Sequence, residues 1–222
     1  MLNLIKISLV VLLFSACSST AQKKEATPSV KSVKIDRNVK VVQNDTLETA
    51  TLAGGCFWKM DACYQQLNGV TQLAVGYAGG TKVDPTYEEV SSDRTGHAET
   101  IQVIFNPKVV SYKEILNVFW DIHDATRYNR EGNDVGADYR SVVFFHSPEQ
   151  EATAQAVKDS LDKSGTYSHP LVTEITAFTN FYKAEKYHQD YYNLNPNEPY
   201  TASVVRGKVE HFEDLYKAKL KR

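Results

Sequence analysis

The sequence predicts an α+β protein whose body, from about residue 47, is a two-layer α/β sandwich. Three observations carry this. Stretches with the two-residue alternation of a strand are interleaved with stretches whose apolar residues recur every three to four positions. Gly, Asn and Pro punctuate the joins. Each such strand and helix has one face to bury, which a sheet covered by helices accomplishes. The 222 residues, 42% of them hydrophobic, suit one domain with extensions. The pattern leaves open whether neighbouring strands run parallel or antiparallel.

The chain opens on what reads as an address. Residues 1–16 hold Lys6, then an almost wholly apolar run from Ile7 to Phe14, then the small pair Ser15-Ala16. This is short of the roughly 20 apolar residues that span a bilayer, and it fits a secretory signal. Leu13-Phe14-Ser15-Ala16-Cys17 resembles a bacterial lipobox, although Phe14 stands where an aliphatic residue is usual. That resemblance implies an acylated Cys17 as first mature residue and a protein anchored by lipid in the cell envelope, outside the cytoplasm. The alternatives are a simple cleaved signal or an uncleaved anchor, with Cys17 incidental. Residues 17–46 read as a flexible tether. Six basic residues there (Lys23, Lys24, Lys31, Lys34, Arg37, Lys40) outnumber Glu25 and Asp36. A solvated linker is the plain reading, and attraction to anionic lipid heads the other.

In the body, Thr49 to Ala53 reads as a strand running into Gly54-Gly55. Cys56 to Leu67 carries a helical stripe at 57, 60, 63, 64 and 67, closed by Asn68-Gly69. Val70 to Tyr77 is strand-like. Thr81 to Gly96 reads as a polar loop. Glu99 to Phe105 alternates and stops at Asn106-Pro107. Ser111 and Glu114 form a capping box before Ile115, Leu116, Phe119 and Trp120. Arg127 to Ala137 is a second polar loop, and Arg140 to Phe145 a strand. Ser147-Pro148 opens a helix to about Leu161. Val172 to Phe178 is predicted as a strand, Phe181 to Tyr192 as a helix, and Lys208 to Arg222 as a charged helix with an apolar stripe at Val209, Phe212, Leu215 and Tyr216.

The formal charge of −2 gives no sign of a nucleic-acid partner. The three cysteines (Cys17, Cys56, Cys63) are too few for a disulfide scaffold, and no tight His/Cys cluster suggests a metal. Cys56 stands out. It follows a strand and two glycines and opens a helix, where unpaired backbone N–H groups and the helix dipole favour thiolate. Phe57 and Trp58 set two rings beside the sulfur, which suits a substrate with a small apolar group near its reactive atom. On these grounds alone, a buried structural thiol is an equal alternative.

Gly55-Cys56-Phe57-Trp58 matches the signature of the peptide methionine sulfoxide reductase A family. Further matches follow in order: Gly76-Tyr77-Ala78-Gly79-Gly80, Pro85 to Val90, Thr95 to Glu99, Phe119-Trp120 with His123-Asp124, Gly132 to Gly136 with Tyr139-Arg140-Ser141, and Tyr187 to Tyr191 with Asn195-Pro196-Asn197. The resemblance spans roughly residues 48 to 212. It implies a sandwich related to the ferredoxin-like plait, with extra loops and a C-terminal helix. It implies reduction of methionine-S-sulfoxide, free or in oxidised proteins, by a monomer with no bound cofactor. By motif, Cys56 would be the nucleophile and Glu99 the acid. Tyr87 and Tyr139 would hold the sulfoxide oxygen, Asp134 would help order the site, and Phe57 and Trp58 would hold the S-methyl group. His97 and His123 read as structural hydrogen-bond partners.

The sequence departs from the family in two places. Lys59 replaces a usual Gly or Cys. Thr201 stands where many relatives carry the cysteine that resolves the oxidised nucleophile, and no cysteine follows Cys63. Cys63 lies seven residues past Cys56 on the apolar stripe. Two helical turns separate them by roughly 10 Å, beyond the Cα reach of a disulfide at about 7 Å. An external thiol, from a thioredoxin-like protein or a small molecule, is therefore the expected reductant. Two other functions remain open at this point: a cysteine acyl-transferase using His97 or His123, and a non-catalytic envelope lipoprotein that binds oxidised proteins.

Overall fold

A computed structural model describes residues 47–222 of the chain. The signal, the tether and Cys17 lie outside the described residues. The sheet is organised around β1 (Glu48–Gly54), paired antiparallel on both sides. Helix α1 (Phe57–Gln66) leads to β2 (Val70–Ala78), and the short α2 (Tyr87–Ser91) precedes β3 (Ala98–Phe105). Helix α3 (Tyr112–Asp121) and a two-stranded hairpin, β4 (Arg130–Glu131) with β5 (Asp134–Val135), come before β6 (Ser141–Phe145). Then follow α4 (Pro148–Ser164), β7 (Glu174–Ala177), β8 (Phe181–Lys183), α5 (Tyr191–Leu194) and α6 (Arg206–Tyr216).

The sheet order is β7-β6-β1-β3-β2-β8. Strand β3 is inserted antiparallel between β1 and β2, so α1 crosses over a strand that has not yet been made. The run β1-α1-β2-β3-α3-β6 is thus the split β-α-β plait. Two additions widen it: β7 pairs parallel to β6, and β8 pairs antiparallel to β2. The helices share one large core with one face of the sheet. Met60, Cys63 and Tyr64 of α1 and Leu116 and Phe119 of α3 meet Leu52, Val75, Ile101 and Val143. The alternate strand residues Ala53, Ala78, Ala98, Val142 and Phe144 form a small second cluster, as a pleated strand requires.

Both predicted helix starts are present: Ser111 and Glu114 complete their capping box, and the Ser147 side chain accepts from Gln150 N ahead of Pro148. Three expectations are corrected. The loop 127–137 contains the β4–β5 hairpin. The loop 81–96 contains α2, whose start is another capping box, Thr86 with Glu89. Residues 181–192 are not one helix. Phe181–Lys183 form β8, Lys186–His188 a 3-10 turn, and α5 starts only after Asp190, whose φ is +58°. The Gln189 amide breaks the run: it accepts from Val75 N and donates to the carbonyls of Val75 and Ala184, so this chain segment is held to the β2 backbone instead of to its own helix. The last predicted helix is α6, entered through a π-helical turn, Thr201–Val205. Val209 and Phe212 face the core as expected, while Leu215 is exposed. Beyond α6 the tail is zipped to the end of α1. Asn68 N donates to Lys219 O and Lys221 N to Gln66 O, around a Leu67–Leu220 bridge.

Gly76 makes the β2–β8 junction possible, because a Cβ there would lie 2.3 Å from Tyr182 O. Gly76→Ala must push β8 off the sheet. An overpacking loss of about 1–3 kcal/mol is expected, read as a lower urea midpoint.

Candidate active site

The N-cap of α1 is Cys56, 7% exposed, reached through the Gly54-Gly55 turn. Gly55 has φ +73°, and a Cβ on it would lie 2.4 Å from Glu131 Cβ. A glycine is therefore needed both for the turn and for the approach of the β4–β5 hairpin. Backbone N–H groups of Trp58 and Lys59 are directed at Sγ, and the Tyr200 hydroxyl touches it.

A cavity of about 230 Å³ opens on the sulfur, lined by Cys56, Phe57, Trp58, Tyr87, Glu99, Tyr139 and Tyr200. These come from four stretches of chain: the start of α1, the start of α2, β3, and the 3-10 turn Ala137–Tyr139, with Tyr200 added from the turn before α6. Glu99 is buried, and its Oε2 accepts from Phe57 N at 3.0 Å. Burial pushes its carboxyl up to about 8 against the pull of that N–H, with Asp138 and Asp134 adding to the rise. At neutral pH it holds its proton.

The thiol does not behave as a helix-start position alone implies. Burial and the nearby Glu99 raise Cys56 to about 12, outweighing Tyr200 and the two backbone N–H groups that favour the anion. Near pH 7 the pocket therefore holds a neutral thiol beside a neutral acid. Tyr87 is raised to about 12, chiefly by burial, and burial also raises Tyr139, so both phenols are donors. Asp134 does not line the cavity. It stands one step behind, accepting from the Tyr200 hydroxyl.

Under the thiol lies a buried ion pair that sequence reasoning missed. Lys59 Nζ is 2.7 Å from Glu131 Oε1 and donates to Gly54 O at 3.1 Å. Burial opposes the Glu131 charge, but the Lys59 ammonium and the Asp124 N–H hold its carboxyl below the usual range. The pair ties the strand end before Cys56 to the hairpin that carries Asp134. Tyr200 was also missed, although it directly precedes Thr201, a position the sequence had already marked.

The histidines of the acyl-transfer reading are engaged elsewhere. His97 Nδ1 accepts from Gly80 N, and Nε2 faces Lys82 O. His123 lies between Phe119 O and Ser141 Oγ, and burial lowers it to about 4. Neither lines the cavity. Cys63 is fully buried in the core, and Thr201 is buried with its hydroxyl unpaired. Cys56 and Cys63 are both free thiols. Among the described residues no group of three or more His, Cys, Asp or Glu could hold a metal.

A split plait that gathers a buried thiol, a proton-holding carboxyl and several phenols in one cavity is equipped for thiol-based chemistry. A sequence profile of the family "Peptide methionine sulfoxide reductase" matches residues 48–220. The peptide methionine sulfoxide reductase MsrA of Methanosarcina acetivorans is 51% identical over 172 residues, 78% of this chain and 89% of that protein. That of Methanosarcina mazei is 46% identical over 83% of this chain and 87% of its own length. Among solved structures, reduced Mxr1 of Saccharomyces cerevisiae superposes with a TM-score of 0.65 at 35% identity, over 68% of this chain and 87% of that one. Methionine sulfoxide reductase A of Corynebacterium diphtheriae gives 0.61 at 31%, over 68% and 76%. The chain belongs to the peptide methionine sulfoxide reductase family, and its fold is that of the A-type enzymes.

The coupling between thiol and acid is open to measurement. Above pH 8 an ionised Glu99 opposes thiolate formation on Cys56. Glu99→Gln removes that charge, so alkylation of Cys56 by iodoacetamide at pH 9 should speed up, by about tenfold for each unit the thiol falls. Cys63 should stay slow in both proteins. An unchanged Cys56 rate, followed by peptide mass analysis, refutes the coupling.

Proposed function

We propose that this protein reduces methionine-S-sulfoxide, free or within oxidised proteins, to methionine through a Cys56 sulfenic acid that an external thiol resolves. The observation that carries this is the pairing of a thiol with a carboxyl that keeps its proton near pH 7, in one small aromatic cavity. A sulfoxide sulfur resists attack until its oxygen is protonated or strongly hydrogen-bonded. Glu99 gives its proton to that oxygen while the Tyr87 and Tyr139 hydroxyls donate to it. Phe57 and Trp58 take the S-methyl group. The Cys56 sulfur becomes bonded to the oxygen as the S–O bond of the substrate breaks. The thiol proton returns to the Glu99 carboxylate. Methionine leaves, and Cys56 remains as S–OH, two electrons more oxidised. Asp134 acts through Tyr200. The A-type resemblance supports the S epimer.

Recycling falls to an outside donor. Thr201 cannot resolve, and Cys63 is packed in the core on the same helix. A donor thiol displaces water from the sulfenic acid to give a mixed disulfide, and a second thiol releases Cys56 as the free thiol. A thioredoxin-like protein or a small thiol fills this role. The lipobox-like sequence supports acylation of Cys17, an envelope location outside the cytoplasm, and repair of oxidised envelope proteins. The match to the family profile begins at residue 48, past the proposed tether, which supports a catalytic domain from residue 47 onward.

In a single turnover without reductant, the wild-type protein should release one methionine per chain from the S epimer, and Cys56 should gain one oxygen. Cys56→Ser should abolish this, Cys63→Ser should keep most of it, and Glu99→Gln should slow the step more than it weakens binding. A Cys56–Cys63 crosslink in place of the oxygen gain would sink the recycling scheme.

The full chain expressed in a bacterium should partition into detergent with an acylated Cys17, and Cys17→Ser should abolish both properties. A soluble wild-type protein with another N-terminus rules out the anchor.

A further inference from the structure

Behind the cavity wall lies His188, 1% exposed, among four aromatic rings. Its ring centroid is 5.0 Å from Phe57, 5.7 Å from Trp58, 4.6 Å from Tyr87 and 4.1 Å from Tyr187. Its Nδ1 is 3.2 Å from Trp58 Nε1. An indole N–H can only donate, so His188 Nδ1 must be the bare nitrogen and the neutral ring carries its proton on Nε2. That Nε2 lies 3.9 Å from Glu185 Oε2, too far for a direct bond. Glu185 is itself occupied, accepting from Tyr87 N and from the Tyr77 hydroxyl.

The Trp58 indole is therefore fixed three ways. It stacks on Tyr191 at 3.8 Å and 9°, meets Tyr200 edge-on at 5.8 Å, and is tethered at its N–H by His188. Stacking alone allows the ring to slide and turn in its own plane; the hydrogen bond at its nitrogen removes that freedom. The same imidazole also packs on Tyr87, with ring centroids 4.6 Å apart. One side chain thus touches both Trp58 and Tyr87, which line the same cavity.

We propose that His188 is a positioning residue that sets the selectivity of the pocket for a methyl sulfoxide over larger alkyl sulfoxides, by locking Trp58 through its indole N–H. This rests on the sulfoxide-reductase reading. A rigid apolar pocket discriminates one methylene by about 10–200-fold. A pocket whose wall can shift gives most of that up.

The test compares kcat/KM for methionine sulfoxide and its S-ethyl analogue, ethionine sulfoxide. The wild-type protein should prefer the methyl substrate by about tenfold or more. His188→Phe keeps a ring but loses the acceptor, and the preference should fall to within about threefold, mostly through a higher KM for the methyl substrate. His188→Asn, whose Oδ1 can take the place of Nδ1, should restore the preference. Trp58→Phe should relax the preference as well, and His188→Phe added to it should do nothing more. Trp58→Phe also keeps the question decidable if His188→Phe does not fold. A wild-type protein that reduces neither sulfoxide overturns the function and this inference together. An active wild type whose preference survives in His188→Phe, or is not rescued in His188→Asn, overturns the inference alone.

Discussion

The cavity depends on the hydrogen bond from Phe57 N to the buried Glu99 carboxyl. That bond joins β3 to the first turn of α1, the two elements that contribute the acid and the thiol. The carboxyl lies in a place where its charge is poorly solvated, and a single backbone N–H does not offset that. The group answers by keeping its proton. The helix start is consequently occupied by a neutral acceptor, and the sulfur of Cys56 shares its cavity with a proton source.

A second carboxyl close to Cys56 meets the opposite fate. Glu131 is also buried, yet Lys59 beside it keeps it charged. Such a pair adds little net stability compared with apolar side chains of the same volume, but losing one partner costs about 3–5 kcal/mol because the other is stranded. Its value here is placement. The ammonium grips Gly54 O, and the carboxylate accepts the Asp124 N–H, so the chain before Cys56 and the hairpin carrying Asp134 are held to one another. Two buried glutamates, one with a cation and one without, thus take opposite charge states.

Much of this was legible in the sequence. Caps at Ser111 and Ser147 speak locally and were read correctly. The capping box at Thr86 and Glu89 was equally visible, but it opens only five helical residues inside a polar stretch, too short for periodicity to register. The helix expected over 181–192 failed because Gln189 bonds to a strand more than 100 residues earlier, which no local pattern encodes. Cys56, Phe57, Trp58, Tyr87, Glu99 and Tyr139 are legible through their motifs, and all line one cavity. The pairings of Tyr200 with Asp134, Lys59 with Glu131 and His188 with Trp58 were not legible, because only the folded chain creates them. The direction of the thiol shift was also beyond local reasoning. The helix start favours thiolate, and the depth of the pocket overrules it.

The zipped tail beyond α6 ties a remote part of the chain to the helix that Cys56 opens. The wall residue Tyr200 lies only just before α6, and the end of the chain is fastened to the far end of the helix whose first turn carries Cys56. The sheet is a separate source of cohesion, with strands that pair independently of that fastening. Opening of a terminal segment costs less free energy than melting a core sheet. Val209 and Phe212 anchor the segment between Tyr200 and the tail in the core, so an opening that reached α6 would strip the cavity of one wall while the sheet, and with it much of the far-UV spectrum, persisted.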